Sequence, residues 1–119
     1  MPAPTGYKLL PLDLTDAELL FCEHVDLPDQ LLQNLITDSQ WQEETVTLFG
    51  KTHKQPRLIA WYGDPGTDYT YSGVRHKPLP WTETLARVRD RLEQLTDSKY
   101  NSVLLNYYRD GSDSMGLHA

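Results

Sequence analysis

The run Ser102-Val-Leu-Leu-Asn-Tyr-Tyr108 constrains the chain more than any other stretch. Apolar and β-prone residues follow one another without a break, then give way to Arg-Asp-Gly-Ser-Asp-Ser, so the run predicts a strand that ends in a surface loop. Side chains alternate faces along a strand, which puts Asn106 and Tyr108 on one side and Leu105 and Tyr107 on the other. An amide and a phenol thus stand together as a short polar comb on a sheet. After the loop the chain turns apolar at Leu117, presents His118 and reaches Ala119.

The strongest helix lies just before that strand. From Thr82 to residue 96, Leu85, Val88, Leu92 and Leu95 fall on one helical face, with Arg87, Arg89, Asp90, Arg91 and Glu93 mostly around the rest. Glu83 suits the positive end of the helix dipole. A second amphipathic helix is expected over 28–37, with Pro28 in its first turn and Leu31, Leu32, Leu35 and Ile36 forming the stripe. Between the helices, Val46 and Leu48 alternate with threonines in a strand over 45–49. Pro56-Arg-Leu-Ile-Ala-Trp-Tyr62 predicts its partner, so the pair makes a hairpin with a basic loop. The cluster Gly63-Asp-Pro-Gly66 marks a turn before the aromatic run Tyr69-Thr-Tyr-Ser-Gly73. Tyr7–Leu10 and Ala17–Cys22 are short apolar runs that suit strands or irregular core segments, and residues 1–6 read as a flexible tail. Residues 7–119 make one domain, since 119 residues allow no more.

Composition narrows the function. A net charge of −6 argues against a nucleic-acid binder working through bulk electrostatics. Local charge can differ: Lys51 to Arg57 carries three cationic side chains (Lys51, Lys54, Arg57) and no acidic one. No run approaches the length of a membrane span. Cys22, the one cysteine, excludes an internal disulfide and is expected as a small buried apolar residue; cysteine usage and the absence of a secretory signal suit the cytoplasm, or the nucleus of a eukaryote.

The order strand, Asn-x-Tyr, polar loop, His resembles the AlkB family of iron(II)- and 2-oxoglutarate-dependent dioxygenases, which repair alkylated bases. The likeness extends back through Leu48-Phe-Gly-Lys, Pro56-Arg-Leu-Ile-Ala-Trp-Tyr-Gly, Tyr69-Thr-Tyr-Ser-Gly, Pro80-Trp81 before a helix, and Tyr100-Asn-Ser-x-Leu-x-Asn-x-Tyr. It covers roughly residues 45–119, in matching order and spacing.

The resemblance implies roles for particular residues. Asn106 and Tyr108 would contact 2-oxoglutarate, and His118 would be an iron ligand. Tyr71 would stack on the damaged base, with the His118 ring on its other side, while Tyr69 and Ser72 line the pocket. Phe49 would wedge into the duplex where the base has flipped out, and Arg57 would lie near substrate and phosphates. A base acted on chemically must leave the helix and lie flat between surfaces, so such a pocket makes physical sense. Residue types alone also allow Tyr69 and Tyr71 as a cross-strand aromatic pair, Phe49 as a core residue and Arg57 as a solvated charge. Asp110 and Asp113 read as turn formers.

The implied activity is oxidative demethylation: hydroxylation of an N-methyl group on a base in DNA or RNA, followed by release of formaldehyde. The implied fold is α+β, two helices against an incomplete sheet, forming the opening half of a double-stranded β-helix (jelly roll). The family's iron site needs two histidines and a carboxylate, and His118 is the only one of the three matched. The expectation is therefore that the chain by itself is inactive, binds iron(II) weakly, and self-associates through an unpaired sheet edge. The competing reading is a non-catalytic fragment, or a module that binds nucleic acid or protein through the Phe49 hairpin and the aromatic strand.

Overall fold

The computed structural model describes residues 6–71 and 73–116. Along the chain run β1 (Lys8–Leu9), β2 (Leu20–Phe21), α1 (Leu31–Asp38), β3 (Gln42–Leu48), β4 (Lys51–Gly63), β5 (Tyr69–Tyr71), β6 (Val74–His76), α2 (Glu83–Thr96) and β7 (Ser102–Tyr107). Every strand pair is antiparallel, and the strands form three sheets, β1-β2, β3-β4-β7 and β5-β6. The architecture is α+β, as the sequence implies. Expectations for Ser72, His118 and all but the last residue of the 1–6 tail fall outside the described residues, and for Tyr71 the backbone alone is described.

Strand β4 is the spine. Its register sets Ala60 opposite Leu105 and Tyr62 opposite Val103, so these four share one face. That face carries the core: Ala60, Tyr62, Leu85 of α2 and Leu105, with Leu35 of α1, Trp41, Leu79, Trp81 and Val103 packed against them. Tyr62 is 2% exposed, and its hydroxyl accepts the Gln40 amide at 2.8 Å, so the phenol is not left unbonded inside. Burying a leucine as fully as Leu85 contributes about 1.5–3 kcal/mol.

Helix α2 begins as the sequence predicts. Thr82 caps it, its hydroxyl accepting the Leu85 amide at 3.1 Å, and Asp97 at φ 52° turns the chain out at the other end. Helix α1 starts later than expected, at Leu31, and Pro28 is not in its first turn. Gln30 adopts a left-handed conformation (φ 57°) and breaks the chain direction between Pro28 and Leu31.

The β3–β4 hairpin also departs from expectation. Residues 51–57 belong to a strand of 13 residues rather than to a basic loop. The loop is only Phe49-Gly50, because Leu48 pairs with Lys51. Both loop residues have positive φ (52° and 76°), the two-residue turn whose twist matches that of the flanking strands. Cys22 is half-buried rather than buried, and its thiol donates to the His24 carbonyl at 3.1 Å.

Candidate functional site

The face of β4 turned away from the helices carries Ile59 and Trp61, and across the ladder Asn106 pairs with Ile59 and Leu104 with Trp61. Alternation therefore puts the Asn106 amide beside Ile59 on the sheet face that α1 and α2 leave uncovered. Carried one residue beyond the ladder, the register brings Tyr108 level with Arg57. Tyr108 itself lies just outside β7 and is 44% exposed.

The β5–β6 hairpin covers part of this face. Tyr69 pairs with His76 and Tyr71 with Val74, and Gly73 (φ 79°) makes the turn. The Tyr69 ring lies between two others, 5.3 Å from Trp61 and 6.0 Å from His76 in a stacked arrangement. The Trp61 indole donates to the Thr67 carbonyl at 2.8 Å, which ties the loop before β5 down to β4. Next to this stack is a cleft of about 360 Å³ lined by Gln42, Ile59, Trp61, Arg75, His76 and Leu79, within the size range of small-ligand sites.

Arg57 and Gln55 are the two buried polar side chains of the sheet, 8% and 3% exposed, with the Arg57 Nε donating to Gln55 Oε1 at 3.4 Å. They sit where the β3–β4 register shifts: Glu43 pairs with Leu58 and Thr45 with Lys54, so β4 bulges opposite Glu44. Bulges re-aim side chains and recur beside functional sites. The alternative of Arg57 as a solvated strand-end charge is thus excluded, because the residue is only 8% exposed and alternation puts it on the face of Ile59. Phe49 is the opposite case. It is fully exposed at the hairpin tip, so it is not a core residue.

After β7 the loop is tightly made. Asp113 accepts from the Arg109 amide at 2.9 Å and from its Nε at 2.7 Å, while Asp110 accepts from the Ser112 amide at 2.8 Å. These aspartates form the turn, as their residue type predicts. Hydrogen bonds from the Arg109 side chain, then from its amide, hold the Asp113 carboxyl below the usual carboxylate range; bonds from the Ser112 hydroxyl and amide do the same for Asp110.

The described geometry thus brings Tyr69, Arg57 and Asn106 to one sheet face with Tyr108 at its margin, and sends Phe49 to the far end of the hairpin. Reading the sequence missed Glu44, Gln55, Trp61 and His76. Ser72-Gly73 between β-prone residues could have signalled the turn that pairs His76 with Tyr69. Nothing local signals the bulge.

Residues 24–119 match the family described as the 2OG-Fe(II) oxygenase superfamily. The chain belongs to that superfamily, in its AlkB-like branch. It is 38% identical over 130 residues to the DNA oxidative demethylase ALKBH2 of Mus musculus, a match covering 98% of this chain and 54% of that protein. Against the Homo sapiens ALKBH2 it is 47% identical over 73 residues, 61% of this chain and 28% of the relative. The alpha-ketoglutarate-dependent dioxygenase alkB homolog 3 of Mus musculus is 38% identical over 103 residues, 84% of this chain and 35% of the relative. The chain spans about half the length, or less, of these curated relatives.

Iron(II) and 2-oxoglutarate are the cofactors of this family. The described residues fit the second better than the first. Asn106 and Tyr108 can offer an amide and a phenol O–H from one side of the sheet, neutral donors suited to a carboxylate. No group of three His, Cys, Asp or Glu side chains among the described residues is placed to hold a metal, so the metal's donor set is not assembled from them.

Proposed function

We propose that this protein takes part in oxidative demethylation of N-alkylated bases in DNA or RNA, and that residues 7–119 form one AlkB-like domain supplying the faces that hold the base and 2-oxoglutarate. What supports this most is the shared sheet face: Asn106 lies in register with Ile59, two residues from Arg57, while β5–β6 lays Tyr69 over the same surface. Base pocket and cosubstrate pair are then neighbours, as a reaction between them requires.

Iron(II) with 2-oxoglutarate and dioxygen supplies the oxidising power that hydroxylates the N-methyl carbon in such enzymes. This chain's own residues do the holding. Asn106 and Tyr108 would donate hydrogen bonds to 2-oxoglutarate, and His118 would be a ligand to the metal. Tyr71 stacks on the flipped base, with Tyr69 and Ser72 along the pocket wall, and Arg57 reads a polar edge or phosphate nearby. Phe49, presented on a strained turn between strands that carry Lys51 and Lys54, fills the gap the base leaves in the duplex. The cationic hairpin offsets the chain's overall negative charge where phosphates approach.

We extend the proposal to the fold. The β3-β4-β7 sheet is the opening part of a jelly roll, and β7, which pairs only with β4 among the described residues, offers its second edge for pairing. Another copy of this chain can take that edge, so self-association belongs to the same reading. No helix among the described residues is long and apolar enough to cross a membrane.

Calorimetric titration of 2-oxoglutarate tests the cosubstrate half. Asn106→Ala should weaken binding about tenfold or more, since a hydrogen bond to a charged group is worth about 1.5–3 kcal/mol. Tyr71→Ala should leave 2-oxoglutarate binding unchanged. Equal losses from both substitutions would contradict the division of labour.

A further inference from the structure

The β5–β6 hairpin is a two-stranded sheet of its own, outside the β3-β4-β7 ladder. Just beyond the hairpin Leu79 pairs with β4 through the backbone, the Gly63 amide donating to its carbonyl and its own amide to the Trp61 carbonyl, each at 2.9 Å, so side-chain contacts are left to hold the hairpin itself. Its first anchor is the ring contact of Tyr69 with Trp61. Its second lies at the other strand, where His76 Nε2 stands 2.8 Å from Glu44 Oε1 of β3. That approach is close but poorly directed, and the nitrogen has no other partner among the described residues. The His76 and Glu44 side chains are only 10% and 11% exposed, whereas each other ion pair found among the described residues has a partner at least 39% exposed.

Glu44 owes its position to the register shift between Glu43 and Thr45. His76 is the cross-strand partner of Tyr69 and stacks on its ring at 6.0 Å. Carboxylate, imidazole, phenol and indole thus follow one another from β3, through the hairpin, to β4. A buried carboxylate is stable only when paired, so removing one member strands the other.

We propose that Glu44 and His76 are positioning residues: by closing on each other across the bulge they clamp the β5–β6 hairpin to the sheet and hold the Tyr69 ring where a flipped base meets it. The consequence for the base rests on the pocket reading given above, whereas the clamp rests on the contacts alone.

Hydrogen exchange of the chain separates the two. In Glu44→Ala and in His76→Leu, amides of residues 69–76 should exchange at least about tenfold faster, because breaking a buried pair is strongly destabilising where the pair acts. Helix α2 should stay within about twofold of the unsubstituted chain, and the double substitution should be no faster than the quicker single one, the signature of a coupled pair. Unchanged exchange at 69–76, or effects that simply add, would overturn the clamp. Should α2 loosen as much as the hairpin in those variants, Glu44→Gln decides, since it keeps the size and drops the charge: loosening confined to 69–76 supports the pair and none overturns it. A single-stranded oligonucleotide carrying one N1-methyladenine, titrated against the same variants, reads the consequence. Its affinity should fall at least about fivefold while that of the unmethylated oligonucleotide holds, and an equal fall for both would overturn the role in positioning Tyr69. If the unsubstituted chain does not prefer the methylated oligonucleotide, the base-pocket reading fails and exchange alone judges the clamp.

Discussion

Phe49 carries two costs at once. It holds a left-handed backbone (φ 52°) that a bulky side chain resists, and it exposes its whole ring to water. Neither serves the fold, and both fit the proposed contact with a duplex. Phe49→Asn should therefore stabilise the chain by about 1 kcal/mol, because Asn-Gly is the preferred pair for this turn and left-handed geometry costs other residues about 1–2 kcal/mol. The same substitution should weaken binding to duplex DNA containing a methylated base. Urea unfolding and a duplex titration check the two halves; a destabilised variant would mean that the ring packs after all.

A second prediction at this scale concerns pH. Asp113 and Asp110 have carboxyls held below their ordinary range by hydrogen bonds from Arg109 and Ser112. A depressed folded-state pKa contributes stability that is fully present above the unfolded value and is lost as pH falls through the folded one. Order in the 109–113 loop should thus be flat from neutral pH down to the usual carboxylate range and fail only below it. Amide shifts of Arg109 and Ser112 followed by NMR give the profile. Loss that begins near neutrality would be incompatible with these bonds.

Among the elements, the ones written in local pattern were legible. Helix α2 has both a capping threonine and a regular apolar stripe, and β7 is a continuous β-prone run, so each was placed to within a residue. The start of α1 was not, because Pro28 suits a helix start while a left-handed Gln30, set by the path of the chain, decides where the helix begins. The strand that carries Asn106 and the hairpin that carries Phe49 could be read from local pattern. Glu44 and His76 could not: their contact spans two hairpins and depends on a bulge that no neighbouring residue announces. At the end of β4, Gly63 is required by space. A Cβ there would come within 2.7 Å of the Asn101 carbonyl oxygen and 2.8 Å of the Ser102 Cβ. Gly63→Ala should cost about 1–3 kcal/mol by overpacking the β4–β7 end, seen as a lower urea midpoint. An unchanged midpoint would show that the strands part more easily than the close approach implies.

As a whole the molecule is open. Its accessible surface is 9241 Å², whereas a compact chain of 13.7 kDa exposes about 6,600 Å². Its radius of gyration is 16.9 Å, against about 13.5 Å for a compact domain of this length. The excess fits a sheet with one face on its helices and the other only partly covered, and with β7 free along one edge among the described residues. Sedimentation velocity at rising concentration should show growing self-association; a single sharp monomer at every concentration would contradict it. The uncovered face is also where base and cosubstrate are proposed to meet, so the most direct measurement is a binding comparison on it. A single-stranded oligonucleotide with one N1-methyladenine and its unmethylated twin are titrated against the chain and against Tyr71→Ala. A pocket for alkylated bases should make the chain prefer the methylated strand, and since stacking on an aromatic ring contributes about 1–3 kcal/mol per base the substitution should cost that strand about tenfold. Equal affinity for the two strands, or a Tyr71→Ala variant that binds both as before, would contradict the account.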